Sequence, residues 1–175
     1  MSKHKSVISF ARSLREDDEA QLSEQLITVE NLISSFSQVE TIFAQIRILD
    51  NSGYERVRVN FDGNTSETIH GPLLQDKSDR YYFTDSINLP LGSIYVSSLD
   101  LNVEHGMIET PYKPVMRFAT PVHTDGEQSC IVVFNLSVNT SSLLHKGIEI
   151  EKGEDYILAN QNGFYIHHPD KVKEW

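Results

Sequence analysis

Phe43-Ala44-Gln45-Ile46-Arg47-Ile48-Leu49, then Asp50-Asn51-Ser52-Gly53, then Tyr54-Glu55-Arg56-Val57-Arg58-Val59-Asn60-Phe61 is the stretch whose reading decides the fold. Its first seven residues read as a strand, and the next four are turn formers by composition. The last eight alternate, with Val57, Val59 and Phe61 on one face, so the whole is a β-hairpin. Arg56 and Arg58 share a face of the second strand and are read as an exposed, salt-bridged surface.

Upstream, residues 3–36 contain neither Gly nor Pro. Apolar positions fall at Leu22, Leu26, Val29, Ile33 and Phe36, a heptad-like stripe on one face of a helix. Val7, Phe10, Ala11 and Leu14 keep a similar rhythm, interrupted by the acidic Glu16-Asp17-Asp18-Glu19 block. The stripe has two readings: the helix lies on its own sheet, or it also pairs with its twin in a homodimer. Two well-formed heptads are short for an independent coiled coil, so such pairing is expected to be weak in an excised domain.

Downstream, Asp62-Gly63-Asn64 opens a polar loop that runs to Gly71-Pro72. Pro72 suits the first turn of a short helix that ends at Tyr81-Tyr82-Phe83. Ser93 to Ser97 is β-rich after the Pro90-Leu91-Gly92 turn. Val115 to Val122 and Cys130 to Val138 are two further strands, joined by a hairpin turn centred on Asp125-Gly126. Five strands, mostly antiparallel, with helices before and between them predict an α+β domain of PAS-like arrangement. Near Gly153 a second unit begins, since Tyr156–Ala159, Asn160–Gly163 and Phe164–Ile166 repeat the strand–turn–strand pattern. The expected organisation is therefore a long N-terminal helix over 1–36, a PAS-like module over 37–147, and over 148–175 the beginning of a second, truncated PAS-like module.

The chain has 175 residues, 39% hydrophobic and 23% charged, enough for one real core or one core plus part of another. Lys and Arg number 15 against 25 Asp and Glu, a formal net charge of −10. That excludes a generic duplex-binding domain, which needs a basic face, so no nucleic-acid partner is expected. One cysteine, Cys130, excludes an internal disulfide framework and any multi-cysteine zinc site. The N-terminus does not read as a signal peptide, and no stretch approaches the ~20 apolar residues of a spanning helix. Both facts suit a cytosolic protein, and equally an extracytoplasmic domain cut away from flanking transmembrane segments.

Catalytic motifs are wanting. His167 and His168 are neighbours on a strand and point to opposite faces, which disfavours a shared metal. There is no phosphate-cradling Gly-rich loop and no Gly-x-Ser-x-Gly elbow. Cys130, within Ser-Cys-Ile-Val-Val-Phe, reads as a buried small hydrophobe. No catalytic residue, metal ligand or cofactor is expected. Binding chemistry is instead concentrated in Asp79-Arg80-Tyr81-Tyr82-Phe83-Thr84-Asp85. The Arg80 fork can grip a carboxylate, aromatic walls can enclose an apolar body, and Asp85 can hold an amine. The competing reading is an Arg80–Asp85 ion pair at a helix end with the tyrosines as ordinary core.

Arg47 to Val59, Leu74 to Phe83, Tyr95 to Gly106 and Pro114 to Val122 together resemble the double Cache sensors, also called PDC or double PAS-like domains. Gly163-Phe164-Tyr165-Ile166-His167-His168-Pro169 resembles the first hairpin of that family's membrane-proximal module. The resemblance covers about residues 40–170 in order. It implies the periplasmic or extracellular part of an inner-membrane receptor: a bacterial histidine kinase, diguanylate cyclase or chemoreceptor. The distal module of such a receptor binds a small carboxylate, amine or amino acid and passes a conformational signal across the membrane.

Amino-acid-binding members carry Arg-x-Trp-Tyr-x-Asp and a later strand-end Asp. Arg80 and Asp85 match, but Tyr82 and Phe83 replace Trp-Tyr, and Asn135 stands where the later Asp is expected. That last change removes a charge for a ligand ammonium and weakens the case for a standard α-amino acid. Tyr95, Ser97 and Asp100 complete the ligand-binding set that the resemblance implies. Arg117 is a further candidate, but with Met116 and Phe118 facing the helices it would be solvent-facing or structural. Two other classes stay open: a module that binds a protein partner, and a small cytosolic enzyme.

Overall fold

The unbroken N-terminal stretch folds as two helices, α1 (Lys5–Glu16) and α2 (Glu19–Val39). A computed structural model describes residues 1–16, 19–138 and 155–175, so Asp17 and Asp18, in the middle of the acidic block, lie outside the described residues. The stripe on α2 is turned onto the chain's own sheet: Val29 and Ile33 are fully buried, with Leu22, Leu26 and Phe36 packed beside them. Val7, Phe10 and Ala11 of α1 enter the same core. Buried hydroxyls inside these helices are satisfied locally, as Ser37 Oγ donates to the Ile33 carbonyl at 2.9 Å.

The strands follow as β1 (Phe43–Asp50), β2 (Glu55–Phe61) and β3 (Ser66–Ile69), then, after the short helix α3 (Tyr81–Thr84), β4 (Tyr95–Val96). After them come β5 (Asp100–Leu101), β6 (Val103–Glu104), β7 (Met107–Ile108), the long pair β8 (Pro114–Thr124) and β9 (Glu127–Ser137), and finally β10 (Leu158–Ala159) and β11 (Tyr165–His167). They belong to two compact units: Met1–Ser97 with Arg117–Leu136, and Ser98–Met116 with Ser137–Trp175.

In the first unit the strand order is β3-β2-β1-β9-β8-β4. This α+β architecture carries the five expected strands and one more, β3, formed from the end of the polar loop. Asp62 makes that return possible by accepting from the backbone N–H groups of Asn64 and Thr65, both at 2.8 Å. The helix expected after Pro72 is split into a single 3-10 turn, Gly71–Leu73, and the four residues of α3. Between them the chain is laced to the first hairpin: the Glu55 N–H donates to the Gln75 carbonyl and the Lys77 N–H to that of Gly53, each at 2.9 Å. That approach requires glycine at 53. Its φ is +88°, and a Cβ there would stand 2.5 Å from Ser78 Cα.

Pairing is antiparallel, with Arg47 opposite Arg58, Gln45 opposite Asn60, and Gln45 also opposite Asn135. Cross-strand partners share a face, so the sheet separates its chemistry by side. Toward the helices it presents Ile46, Ile48, Val57, Val59, Val122, Cys130 and Val132. Burying each such side chain contributes about 1.5–3 kcal/mol. Phe36, Phe43 and Phe134 close one end, with ring centroids 5.0–6.2 Å apart. On the other face Leu49, Ala119, Ile131 and Val133 form a smaller cluster with Tyr82 and Phe83 of α3.

In the second unit β5 pairs with the start of β8, β6 with β7, and β10 with β11. The last pair is the hairpin expected after Gly153. Its turn is organised by Asn160, whose Oδ1 accepts from the backbone of Asn162 and Phe164, both at 3.0 Å. No described helix is long and apolar enough to cross a membrane.

Candidate functional site

The face of the first-unit sheet away from the helices carries charges that an apolar core would exclude. Arg47 sits between Ile46 and Ile48 on the central strand β1 and is 1% exposed. Its Nε lies 2.8 Å from Glu55 Oε1, and Glu55 is itself fully buried. Glu55 Oε2 accepts from Arg58 Nη1 at 3.2 Å and from the Gln75 N–H at 3.0 Å. Lys77, also buried, donates from Nζ to Gln75 Oε1 at 2.8 Å. One carboxylate thus serves two guanidinium groups and ties the loop before α3 to the sheet. Buried charge persists only when matched in this way.

Arg117, on β8, is the second buried guanidinium, also 1% exposed. Its backbone is clasped by Ser97: the Arg117 N–H donates to Ser97 Oγ at 2.8 Å, and the Ser97 N–H to the Arg117 carbonyl at 2.9 Å. Nη1 donates to Tyr81 Oη at 3.0 Å. The guanidinium carbon stands 5.2 Å from the centre of the Tyr82 ring and 5.9 Å from that of Tyr81, within cation–π range of both. The two rings meet edge to face at 5.7 Å. Burial pushes the Tyr82 hydroxyl above the usual phenol range, against the opposing pull of Arg47, Arg117 and Arg80.

Farther along the face, amides replace charges. Gln45 Nε2 donates to Asn60 Oδ1 at 2.8 Å, and Asn135 Nδ2 donates to Gln45 Oε1 at 2.9 Å. This cross-strand run fixes Asn135 on the sheet.

The residues proposed from sequence fall as follows. Arg80 stands half-buried immediately before α3, and its side chain makes no hydrogen bond or ion pair with a described residue. Tyr82 and Phe83 are buried in the smaller cluster, and Tyr95 packs against it from β4, opposite Ala119. Ser97 is buried, with its hydroxyl on the Arg117 backbone. Asn135 is buried on β9. Asp85 is exposed, and no ion pair joins it to Arg80 among the described contacts. Asp100 lies on β5, in the second unit.

Two sequence readings change. Arg56 and Arg58 do not form one exposed surface: Arg56 pairs with Asp50 at 2.6 Å near the turn, whereas Arg58 is buried on Glu55. The cause is the irregularity in the β1–β2 register between Ile48 and Leu49, which changes which residues face outward. Arg117 is not solvent-facing either, since Met116 and Phe118 on either side of it are the more exposed pair. Arg47 and Glu55 were not singled out, and Tyr81 was read only as one of the aromatic residues in the Arg80 run. The available signal was a charge at Arg47 within the apolar run Ile46-Arg47-Ile48-Leu49. Among the described residues, no group of His, Cys, Asp and Glu could hold a metal ion.

The chain resembles several solved structures. The extracellular domain of vpHK1S-Z8, assigned as a histidine kinase, matches with a TM-score of 0.75 and 26% identity, covering 99% of this chain and 60% of that one. A domain of a Vibrio parahaemolyticus protein assigned to the sensory box/GGDEF family matches with a TM-score of 0.77 and 26% identity, over 99% of this chain and 63% of the other. The ligand-binding domain of the Campylobacter jejuni chemoreceptor Tlp3, solved with L-valine, shares the fold at 13% identity and a TM-score of 0.56, over 94% of this chain and 62% of the other. This chain thus spans roughly three fifths of the length of these relatives. No curated protein matches its sequence significantly. The family model for the sensor domain of bacterial histidine kinases matches residues 2–175. On that match the chain belongs to the bacterial histidine kinase sensor domain family.

Proposed function

We propose that this chain is the extracytoplasmic sensor domain of a transmembrane receptor, and that it binds a small ligand without transforming it. The site is the face of the first-unit sheet beneath α3, with Arg80, Tyr81, Tyr82, Tyr95 and Arg117 as contacts. One observation carries the reading: the buried Arg117 guanidinium, held by Tyr81 Oη and laid over the Tyr82 ring. A guanidinium fixed in this way is pre-organised for an anionic group, because little of its freedom remains to be lost on binding. Tlp3, which has the same fold, holds L-valine, which puts a small carboxylate among the ligands to be tried.

The receptor's output domain lies outside these residues. Pairing of two copies through the N-terminal helices belongs to the same proposal. The sheet occupies Val29 and Ile33, so pairing would use the opposite side of α2, around Ser23, Ile27 and Asn31.

Thermal shift against a library of small acids, amines and amino acids tests the reading. At least one compound should raise the melting temperature, and Arg80→Ala should abolish that response while leaving the unliganded melt unchanged. Removing one partner of a buried charge pair costs about 2–5 kcal/mol of affinity. A flat response across the library, or full affinity in Arg80→Ala, would contradict the site.

A further inference from the structure

We propose that Glu30 and His70 form a proton-sensing contact that holds the edge strand β3 to α2 more firmly in acid than at neutral pH. It lies on the helix side of the sheet, apart from the site beneath α3, and needs no ligand. Two periodicities bring its residues together. Glu30, Ser34 and Gln38 are four apart and share one side of α2, whereas Ser66, Thr68 and His70 alternate along β3 and its extended continuation. Ser34 Oγ stands 2.7 Å from Ser66 Oγ, and Gln38 Nε2 donates to Ser66 Oγ at 3.0 Å. One step along both rows, His70 Nδ1 lies 3.4 Å from Glu30 Oε1. The seam is otherwise neutral, so this pair is where a proton can change it.

Glu30 is withdrawn from solvent, with its side chain 13% exposed, while His70 is 66% exposed and open to it. Burial pushes the Glu30 carboxyl above the usual glutamate range, and the His70 charge opposes that. Charges on the elements packed against α2 are engaged elsewhere. Arg12 and Arg15 of α1 hold Asp125, with Lys5 and Glu16 exposed at its ends. Arg47 and Arg58 pair with Glu55, Arg56 pairs with Asp50, and Glu67 of β3 is exposed. A carboxyl whose folded pKa is raised contributes stability below its unfolded value and loses it as pH rises through the folded one. Imidazoles give up their charge between about pH 5 and 8, so the counter-charge at His70 is lost in the same direction. A proton taken up at either group relieves the same buried charge. An extracytoplasmic domain meets the pH of its surroundings directly, and this contact lets that pH set how β3 is held to α2.

NMR hydrogen exchange on the 1–175 chain decides this, comparing protection of the β3 amides, Ser66–Ile69, at about pH 5 and pH 7.5. Val132, on the central strand β9, serves as the internal reference. Relative to it, β3 protection should fall about two- to five-fold toward the higher pH, the range of a partly exposed ion pair. Glu30→Gln should abolish the fall. His70→Gln should move the titration midpoint of the Glu30 carboxyl, followed by its side-chain carbon shift, still further upward, because the charge opposing burial is gone. If Glu30→Gln does not fold, the parent profile and the His70→Gln titration still decide. Equal β3 protection at the two pH values, a fall that persists in Glu30→Gln, or a Glu30 midpoint that His70→Gln leaves in place would each overturn the proposal. Any of these would leave the ligand reading untouched.

Discussion

Glu55 lies inside the sheet between two guanidinium groups, Arg47 at 2.8 Å and Arg58 at 3.2 Å, and accepts from the Gln75 backbone N–H. Glu55→Ala takes the carboxylate away from two buried guanidinium groups and should cost about 3–5 kcal/mol in urea unfolding. A loss below about 1 kcal/mol, the range of an exposed pair, would mean that solvent reaches the cluster. Asp50 gives a pH dependence. Burial alone would raise its pKa, but hydrogen bonds from the Ser52 hydroxyl, Arg56 and the backbone of Tyr54 and Ser52 outweigh it, and the net shift is downward. A depressed carboxylate contributes stability above its unfolded pKa and loses it as pH falls through the folded one. Denaturation below the ordinary carboxylate range should therefore flatten in Asp50→Asn, as measured by urea midpoints against pH. At this scale the sequence exposed Arg80 and Tyr82, which sit in one dense run. Arg47 was not singled out, and Arg117 was weighed as solvent-facing or structural, because alternation reports which side of a strand a residue takes but not what covers that side.

Helix α2 shows how a periodic stripe leaves its partner undetermined. Leu22, Leu26, Val29, Ile33 and Phe36 have the spacing of a dimer seam and equally of a helix lying on a sheet. Their packing against Ile46, Ile48, Val57 and Val59 makes them core. Ile33→Glu should unfold the domain, since it puts an unpaired charge in place of a fully buried apolar side chain. Ile27→Glu, at a position 62% exposed, should leave the melting temperature within a degree or two while weakening any self-association seen by sedimentation. A folded Ile33→Glu variant would show that the stripe is not core. The hairpins were legible as elements because each has a turn with its own chemistry: Asp50 to Gly53, Asp125-Gly126 and Asn160 to Gly163. The strand β3 was not, because Ser66-Glu67-Thr68 is polar and becomes a strand only by pairing with the edge of β2. Similarly, residues 74–79 read as helix but run without helix through 74–77 and turn at 78–79, held by backbone bonds to Gly53 and Glu55 that no local pattern announces.

Across the whole molecule, composition excluded more than it assigned. A net charge of −10 and one cysteine removed duplex binding and disulfide scaffolds, and the order of several blocks along the chain carried the family. Charge distribution carries what composition conceals: an acidic protein gathers Arg47, Arg58, Arg80 and Arg117 around one sheet face and one short helix. The central claim is that this face receives the ligand. Amide and guanidinium NMR of the labelled chain, titrated with the tightest binder found, tests it most directly. The account predicts that shifts concentrate at Arg80 to Phe83, Tyr95 and Arg117, with the Arg117 side-chain signal among the largest and α1 and α2 changed little. Shifts centred on the helices or confined to the second unit, with Arg80 and Arg117 unmoved at saturation, would contradict it.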